Sequence, residues 1–115
     1  NNKKYKMVGA IKGETKMNNK PIGRGYIKIN TNKNHPWFDN RTEIKAHEFH
    51  YSDIKLLNNK YKFAYDVKRG YGINGKKDGL IYKSLLGCYA HLRDTKQSQW
   101  VESFVKFIHR CKKLK

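Results

Sequence analysis

The residues best placed to do chemistry are a histidine and an acid–histidine pair that interrupt apolar segments. His91 follows the largely apolar run 80–89, and Glu48 and His50 lie two positions apart in the segment 43–51. Catalytic groups in open α/β sheets gather at strand ends, where a histidine can act as general base toward a thiol or hydroxyl nucleophile. A lone histidine is more often a hydrogen-bonded structural residue. The residues alone therefore leave both interpretations of His91 open.

The segment His47-Glu48-Phe49-His50 superficially resembles the zinc motif of metalloproteases. That motif places its two histidines four residues apart on a helix, so that both face one metal ion. Here they are three apart in a predicted strand and point to opposite faces. Cys88 and Cys111 are too few and too isolated for a zinc site or a disulfide framework, and we expect reduced thiols in the cytoplasm. No metal site is predicted.

A glycine-rich segment, Gly70-Tyr71-Gly72-Ile73-Asn74-Gly75, has the spacing of the dinucleotide fingerprint G-x-G-x-x-G. The fingerprint binds a pyrophosphate only where the glycines open a helix whose N-terminus faces the phosphates. Here they lead into Lys76-Lys77-Asp78-Gly79 and then a strand. We interpret the segment as a hairpin loop, with Asn74-Gly75 and Asp78-Gly79 as turn signals, and expect no nucleotide there.

The net charge of +17 admits two explanations. A basic surface suits nucleic acid or another polyanion. Alternatively, 21 of the 26 basic residues are Lys and the chain has eleven Asn, a composition that an AT-rich genome favours, whereas phosphate recognition tends to recruit Arg. The alternating Lys and aromatic residues of 60–65 suit either a single-stranded nucleic-acid platform or a half-buried strand. We favour the compositional explanation and keep a small basic nucleic-acid-binding domain as the alternative.

The elements that must position these side chains are mainly strands. Alternating or apolar segments predict strands at 26–29, 43–51 and 61–67, and a strand or strand pair at 80–89. The proline and asparagines of 31–41 predict a loop.

The last element is a predicted helix. Apolar residues recur at helical spacing over 99–112, and we expect this helix to be structural and to cover one face of a sheet. No stretch approaches the roughly 20 apolar residues that span a bilayer, so no membrane segment is predicted.

Five motifs follow one another along nearly the whole chain. They are Met7-Val8-Gly9-Ala10, Gly25-Tyr26, His47-Glu48-Phe49-His50-Tyr51-Ser52, the segment Arg69–Tyr82 with its spaced glycines, and Tyr89-Ala90-His91-Leu92. In this order they resemble the cobyrinic acid a,c-diamide synthase family. The most specific are the His-Glu-Phe-His-Tyr-Ser segment and Asp-Gly-Leu-Ile-Tyr followed by Tyr-x-His-Leu.

The resemblance implies an α/β fold, in which residues 1–115 are the C-terminal portion of a class I glutamine amidotransferase-like domain, with a mixed sheet and a closing C-terminal helix. In the family this domain releases ammonia from glutamine. An N-terminal P-loop ATPase-like domain uses ATP and magnesium to activate carboxylates, and this chain is expected to bind neither. The ammonia amidates the a- and c-acetate groups of a corrinoid tetrapyrrole in cobalamin biosynthesis. Close relatives amidate nickel-sirohydrochlorin or sirohaem, so the resemblance does not decide which macrocycle is the substrate.

The resemblance also implies roles for individual residues. In the family a cysteine in a glycine-flanked elbow pairs with a histidine near the C-terminus, and His91 matches that histidine. It would accept the thiol proton, and the thiolate would then form a glutamyl thioester with release of ammonia, which water hydrolyses. Glu48 and His50 are candidates for supporting the site. Arg93 stands where many class I amidotransferases carry a third triad member, which matches the cobyrinic-type branch.

Neither cysteine of the chain has the flanking glycines of that elbow. Cys88 is followed by Tyr89, and Cys111 lies on the predicted helix. We therefore expect the nucleophile and the ATPase domain upstream of Asn1, and a start without Met agrees with a cut inside a longer cytoplasmic ligase. A split subunit completed by a partner is the alternative. The expected partners are glutamine, the tetrapyrrole and the remainder of the enzyme, and the fragment alone is expected to be inactive.

Overall fold

A computed structural model describes residues 3–58 and 60–114. Within these ranges the chain forms a succession of strands followed by one helix. Their bounds are β1 Gly13–Met17, β2 Gly23–Thr31, β3 Glu43–His50, β4 Ser52–Leu56, β5 Lys62–Arg69, β6 Lys77–Tyr82, β7 Leu85–Gly87 and α1 Trp100–Lys113.

Five strands form the main sheet in the order β3-β2-β5-β6-β7, and β1 pairs with β4 in a separate two-stranded sheet. Every pairing between the described strands is antiparallel. The expected mixed sheet is therefore wrong for this part of the chain, and no helix alternates with the strands. The reason is connection length. Parallel neighbours need a crossover of a dozen or more residues, whereas only 70–76 separate β5 from β6 and only 83–84 separate β6 from β7.

The strand β3 shows the alternation that its sequence predicts. Ile44, Ala46, Glu48 and His50 are buried, and the residues between them are exposed. The apolar members join a core from neighbouring strands, and the cluster consists of Ile27, Ile29, Ile44, Ala46, Ala64, Tyr65 and Ala90. The strands predicted at 26–29, 43–51, 61–67 and 80–89 are confirmed, the last as the pair β6 and β7. Strands β1 and β4 were not predicted.

The glycine-rich segment is a hairpin turn between β5 and β6. At its tip Gly75 has a φ of +84°, and the side-chain oxygen of Asn74 accepts the amides of Lys76 and Lys77. The predicted turn at Asn74-Gly75 is confirmed. The turn signal at Asp78-Gly79 is wrong, because both residues lie inside β6.

The helix α1 packs differently from the expectation. Its hydrophobic side meets the loop between β2 and β3, where the Trp37 ring lies 4.9 Å from Phe104 and 5.3 Å from Phe107. A groove of about 460 Å³ separates the helix from strand residues such as Leu86, and none of the described helix residues is fully buried. The helix therefore does not close tightly over the sheet, because Trp37 stands between them. It does not have the length and apolarity needed to cross a membrane.

The loop that carries Trp37 is organised around a buried histidine. His35 is 6% exposed, and its Nδ1 accepts the backbone amides of Trp37 and Phe38. Its Nε2 therefore carries the proton and donates it to the Tyr65 hydroxyl at 3.1 Å. Burial lowers the pKa of His35 to about 4. A neutral imidazole thus connects the loop, and through Trp37 the helix, to the core.

We predict that His35 makes the fold sensitive to acid. The unfolded chain binds a proton at the ordinary pKa of 6.5, whereas the folded chain binds it only near 4. The contribution of neutral His35 to the free energy of unfolding is complete above pH 6.5. It is lost as the pH falls from 6.5 toward 4. Between about pH 7.5 and pH 4.5 we expect His35 to account for a loss of about 2 kcal/mol in the free energy of unfolding.

Urea unfolding at the two pH values checks this prediction. His35→Gln should show the smaller loss of stability on acidification, and His109→Gln, which changes an exposed helix residue, should behave as the wild type. Equal acid sensitivity in His35→Gln and the wild type would disprove it.

Candidate active site

The buried residues of β3 form a polar network under the glycine turn. Glu48 is 1% exposed, and its two carboxylate oxygens accept three hydrogen bonds. Oε1 accepts the amide of Tyr71 at 2.7 Å, and Oε2 accepts the amide of Gly72 at 3.0 Å and Nε2 of His50 at 2.9 Å. Gly70, with a φ of +123°, turns the chain so that both amides face the carboxylate.

His50 is hydrogen-bonded at both ring nitrogens. Nδ1 lies 2.8 Å from the carbonyl oxygen of Ser52, and Nε2 lies 2.9 Å from Glu48. The carbonyl oxygen can only accept, so Nδ1 carries a proton. His50 and Glu48 therefore form a buried hydrogen-bonded pair, and backbone amides contact both carboxylate oxygens of Glu48.

This arrangement explains why the glycine-rich turn does not fit a nucleotide. The amides of Tyr71 and Gly72 that would face a phosphate already donate to Glu48. A phosphate placed there would also meet a buried carboxylate of the same sign. The interpretation of 70–75 as a hairpin loop is therefore confirmed.

Two sets of contacts hold the segment that precedes His91. One is with the polar network of Glu48 and His50, and the other is with the carboxylate of Asp78. The Tyr89 ring stacks on the His50 ring, with centroids 3.7 Å apart and planes 13° from parallel. Its hydroxyl lies 3.0 Å from Oγ of Ser52. The backbone amides of Tyr89 and Ala90 donate to the carboxylate of Asp78 at 3.1 and 2.9 Å. The backbone that leads to His91 is thus held at two consecutive residues.

His91 itself lies along β3, an edge strand of the main sheet. Its amide donates to the carbonyl of His47 at 2.7 Å, and the amide of His47 donates back at 3.2 Å. The two rings lie 6.1 Å apart, and both residues are exposed. No side-chain hydrogen bond to His91 is present among residues 3–58 and 60–114, so its imidazole is available to exchange a proton with a ligand.

The pleat of β3 separates the predicted site residues into two groups. Glu48 and His50 lie on the buried face, whereas His47 and its neighbour His91 are exposed. No hydrogen bond described here joins Glu48 or His50 directly to His91; the connection runs through Tyr89. His47 and His50 point apart, and the described residues contain no group of three or more His, Cys, Asp or Glu side chains that could hold a metal ion.

Cys88 does not resemble an activated nucleophile. Cys88 as a residue is exposed at the groove beside α1, but its Sγ is partly buried and lies 3.3 Å from the carbonyl oxygen of Ala90. Burial of the thiol, and secondly the charge of Asp78, raise the pKa of Cys88 to about 12. A nucleophilic cysteine needs the opposite shift. Cys111 lies on α1, with Oγ of Ser84 at 3.9 Å.

Two residues of the network were not found from the sequence. Both belong to the family motifs, but the sequence assigned neither a role: Asp78 was interpreted as part of a turn, and Tyr89 as the end of an apolar run. The available signal was an acidic residue within an otherwise apolar strand, since a buried carboxylate requires hydrogen-bond donors around it.

Comparison with known proteins identifies a family. Residues 1–98 match the CobB/CobQ-like glutamine amidotransferase domain. No solved structure matches the chain.

Several curated relatives share the name cobyrinate a,c-diamide synthase. The protein of Magnetococcus marinus is 37% identical over 105 residues, which are 91% of this chain and 22% of that protein. The protein of Archaeoglobus fulgidus is 36% identical over 89% of this chain and 22% of its own length. The protein of Priestia megaterium is 31% identical over 95% of this chain and 23% of its own length. The chain thus spans less than a quarter of these relatives.

We predict that Gly23→Ala destabilises the fold by breaking the Glu48–His50 pair. Gly23 lies opposite His50 in the β2–β3 ladder, and an added Cβ would contact Nε2 of His50 and lie 2.6 Å from the Glu48 carboxylate. Overpacking of this kind costs about 1–3 kcal/mol. Urea unfolding measures the loss, and hydrogen exchange at the amides of Tyr71 and Gly72 should accelerate.

Gly87→Ala is the matched control, because its Cβ would meet nothing closer than a Leu85 methyl at 3.7 Å. That variant should keep the wild-type stability to within about 0.5 kcal/mol. Equal stability of the two variants would contradict the packing around Gly23.

Proposed function

The chain belongs to the CobB/CobQ-like glutamine amidotransferase family, and we propose that it supplies the catalytic histidine of the glutaminase site of a cobyrinate a,c-diamide synthase. The observation that carries the proposal is His91. Its backbone is fixed by two hydrogen bonds to His47, while its imidazole is exposed and makes no internal hydrogen bond among the described residues. A general base requires this combination of a fixed position and an available nitrogen.

In the proposed reaction His91 accepts the proton of a cysteine thiol that lies outside these 115 residues. The thiolate attacks the carboxamide carbon of glutamine, and His91 returns the proton to the departing nitrogen, which leaves as ammonia. His91 then takes a proton from water, whose oxygen attacks the glutamyl thioester, so that glutamate and the thiol are released. The raised pKa of Cys88 supports placing the nucleophile elsewhere.

Glu48 and His50 support the site indirectly in this proposal. His50 stacks on Tyr89, two residues before His91, and Glu48 holds His50 and the glycine turn. Neither is assigned a proton-transfer step, because both side chains are buried on the opposite face of β3. They are positioning residues, and His91 is the catalytic residue.

The complete enzyme is proposed to use the released ammonia as a cytoplasmic carbon–nitrogen ligase. The names of the relatives support the a- and c-acetate carboxylates of a corrinoid as acceptors. Nickel-sirohydrochlorin and sirohaem are kept as alternative macrocycles from the family resemblance alone. ATP with magnesium would activate those carboxylates. The glycine turn of this chain does not fit that role, because its amides already donate to Glu48, so we assign the nucleotide to another part of the enzyme. Family membership favours this function over nucleic-acid binding.

We predict that His91→Ala in the complete enzyme separates two activities. Glutamine-dependent amidation should fall by about 10²–10⁴-fold, because the general base is lost. Amidation with added ammonia should stay within about twofold, because free ammonia bypasses the glutaminase. Product formation from cobyrinic acid with either nitrogen source measures both, and His109→Ala, which changes an exposed helix residue, should alter neither. A parallel loss of both activities in His91→Ala would rule out the assigned role.

We also predict that the isolated 115-residue chain releases no ammonia from glutamine. Cys88 lacks the activation that a glutaminase nucleophile needs, because its pKa is raised. A coupled assay for ammonia, run with the wild type and Cys88→Ser, makes the measurement. Ammonia release that disappears in Cys88→Ser would place the nucleophile within this chain and contradict the proposal.

A further inference from the structure

Asp78 is a fully buried carboxylate whose role no sequence motif revealed. It lies in β6 opposite Tyr65, and its exposed fraction is 0%. Burial raises the pKa of Asp78, and the neighbouring charge of Glu48 raises it further, whereas hydrogen bonds from backbone amides lower it. No ion pair with Asp78 is found in the described part of the chain, so its polar contacts come from backbone amides and not from a cation.

Two of the amides that bind Asp78 belong to consecutive residues, Tyr89 and Ala90. Oδ1 accepts the amide of Tyr89 at 3.1 Å, and Oδ2 accepts the amide of Ala90 at 2.9 Å. Each oxygen thus fixes one peptide unit, and the two contacts together define both the position and the rotation of this backbone. The carbonyl of Ala90 is also occupied, because it lies 3.3 Å from Sγ of Cys88.

The next residue along this fixed backbone is His91. Ala90 is 5% exposed and belongs to the core, whereas His91 is exposed. The chain therefore passes from the core to the surface within one residue. A displacement of the Ala90 amide would be transmitted to the Cα of His91, because the two residues are adjacent in the chain. The bridge to His47 constrains His91 from the other side.

We infer that Asp78 is a positioning residue for the glutaminase reaction, which sets the place of the His91 imidazole by holding the amides of Tyr89 and Ala90. This inference rests on the proposed function of His91. General-base catalysis requires hydrogen-bond distance between the base and the reacting proton. A misplacement of about 1 Å can lower a rate by about 10²-fold, although the base itself is unchanged. Asp78 thus acts on kcat without contacting glutamine.

Asp78→Asn in the complete enzyme tests the inference. Asparagine keeps the size of the side chain but presents one amide nitrogen where Asp78 presents an oxygen, so at least one of the two contacts is lost and two donors face each other. We expect the kcat for ammonia release from glutamine to fall by about 10–100-fold and the KM to stay within about twofold. Amidation with added ammonia should remain near the wild-type rate.

Two further variants make the comparison decisive. Asp66→Asn is the matched control, because Asp66 lies on the neighbouring strand, pairs with Lys77 and makes no hydrogen bond to residues 88–92. It should leave glutamine-dependent kcat unchanged. Asp78→Glu keeps two acceptor oxygens, so its kcat should lie between those of Asp78→Asn and the wild type. If Asp78→Asn does not fold, Asp78→Glu is judged alone, by a fall in glutamine-dependent kcat that exceeds any fall in ammonia-dependent amidation.

The outcomes separate this inference from the function on which it rests. Selective loss of glutamine-dependent kcat at position 78 supports it. A wild-type kcat in Asp78→Asn, measured beside an inactive His91→Ala, overturns the positioning role and leaves the proposed function intact. Equal losses of glutamine- and ammonia-dependent activity show a purely structural role and also overturn it. Glutamine-dependent activity that survives in His91→Ala removes the proposed function itself.

Discussion

A carboxylate that is buried and cannot be left without donors constrains the rest of this structure. Glu48 is 1% exposed and accepts hydrogen bonds from His50 and from the amides of Tyr71 and Gly72. An ionised carboxylate at that depth without such partners would cost several kcal/mol. Strand β3 and the turn before β6 must therefore keep their relative positions. The close approach of Gly23, which leaves no room for a Cβ, adds β2 to the same arrangement.

Asp78 applies the same principle on β6, which lies three positions from β3 in the order of the main sheet. It too is buried, and it too is satisfied mainly by backbone amides, here those of Tyr89 and Ala90. The two carboxylates thus bind separate loops to the sheet, and the stacking of Tyr89 on His50 joins the two networks. Hydrogen bonds to backbone amides are well suited to this purpose, because they fix the path of the chain and not only a side chain.

The buried and the exposed face of β3 have different roles in the proposed function. The polar network lies beneath β3, whereas His91 lies on its exposed side, bridged to His47. A base that receives a proton from another part of an enzyme has to be accessible, and its backbone has to be fixed. Both requirements are met at β3, because successive residues of a strand face opposite sides of the sheet.

The sequence by itself determined the features that depend on local patterns. Period-two alternation predicted β3 and its two faces, Asn74-Gly75 predicted the hairpin tip, and the motifs that end in Tyr89-Ala90-His91-Leu92 identified the family. Only the tertiary structure decided the antiparallel order of the strands, the pairing of β1 with β4, the packing of α1 on Trp37 and the burial of Asp78 within β6. These depend on contacts between residues far apart in the chain. Asp78-Gly79 has the local signature of a turn, but the amides of residues 89 and 90 stabilise its carboxylate inside a strand, and no local pattern contains that information.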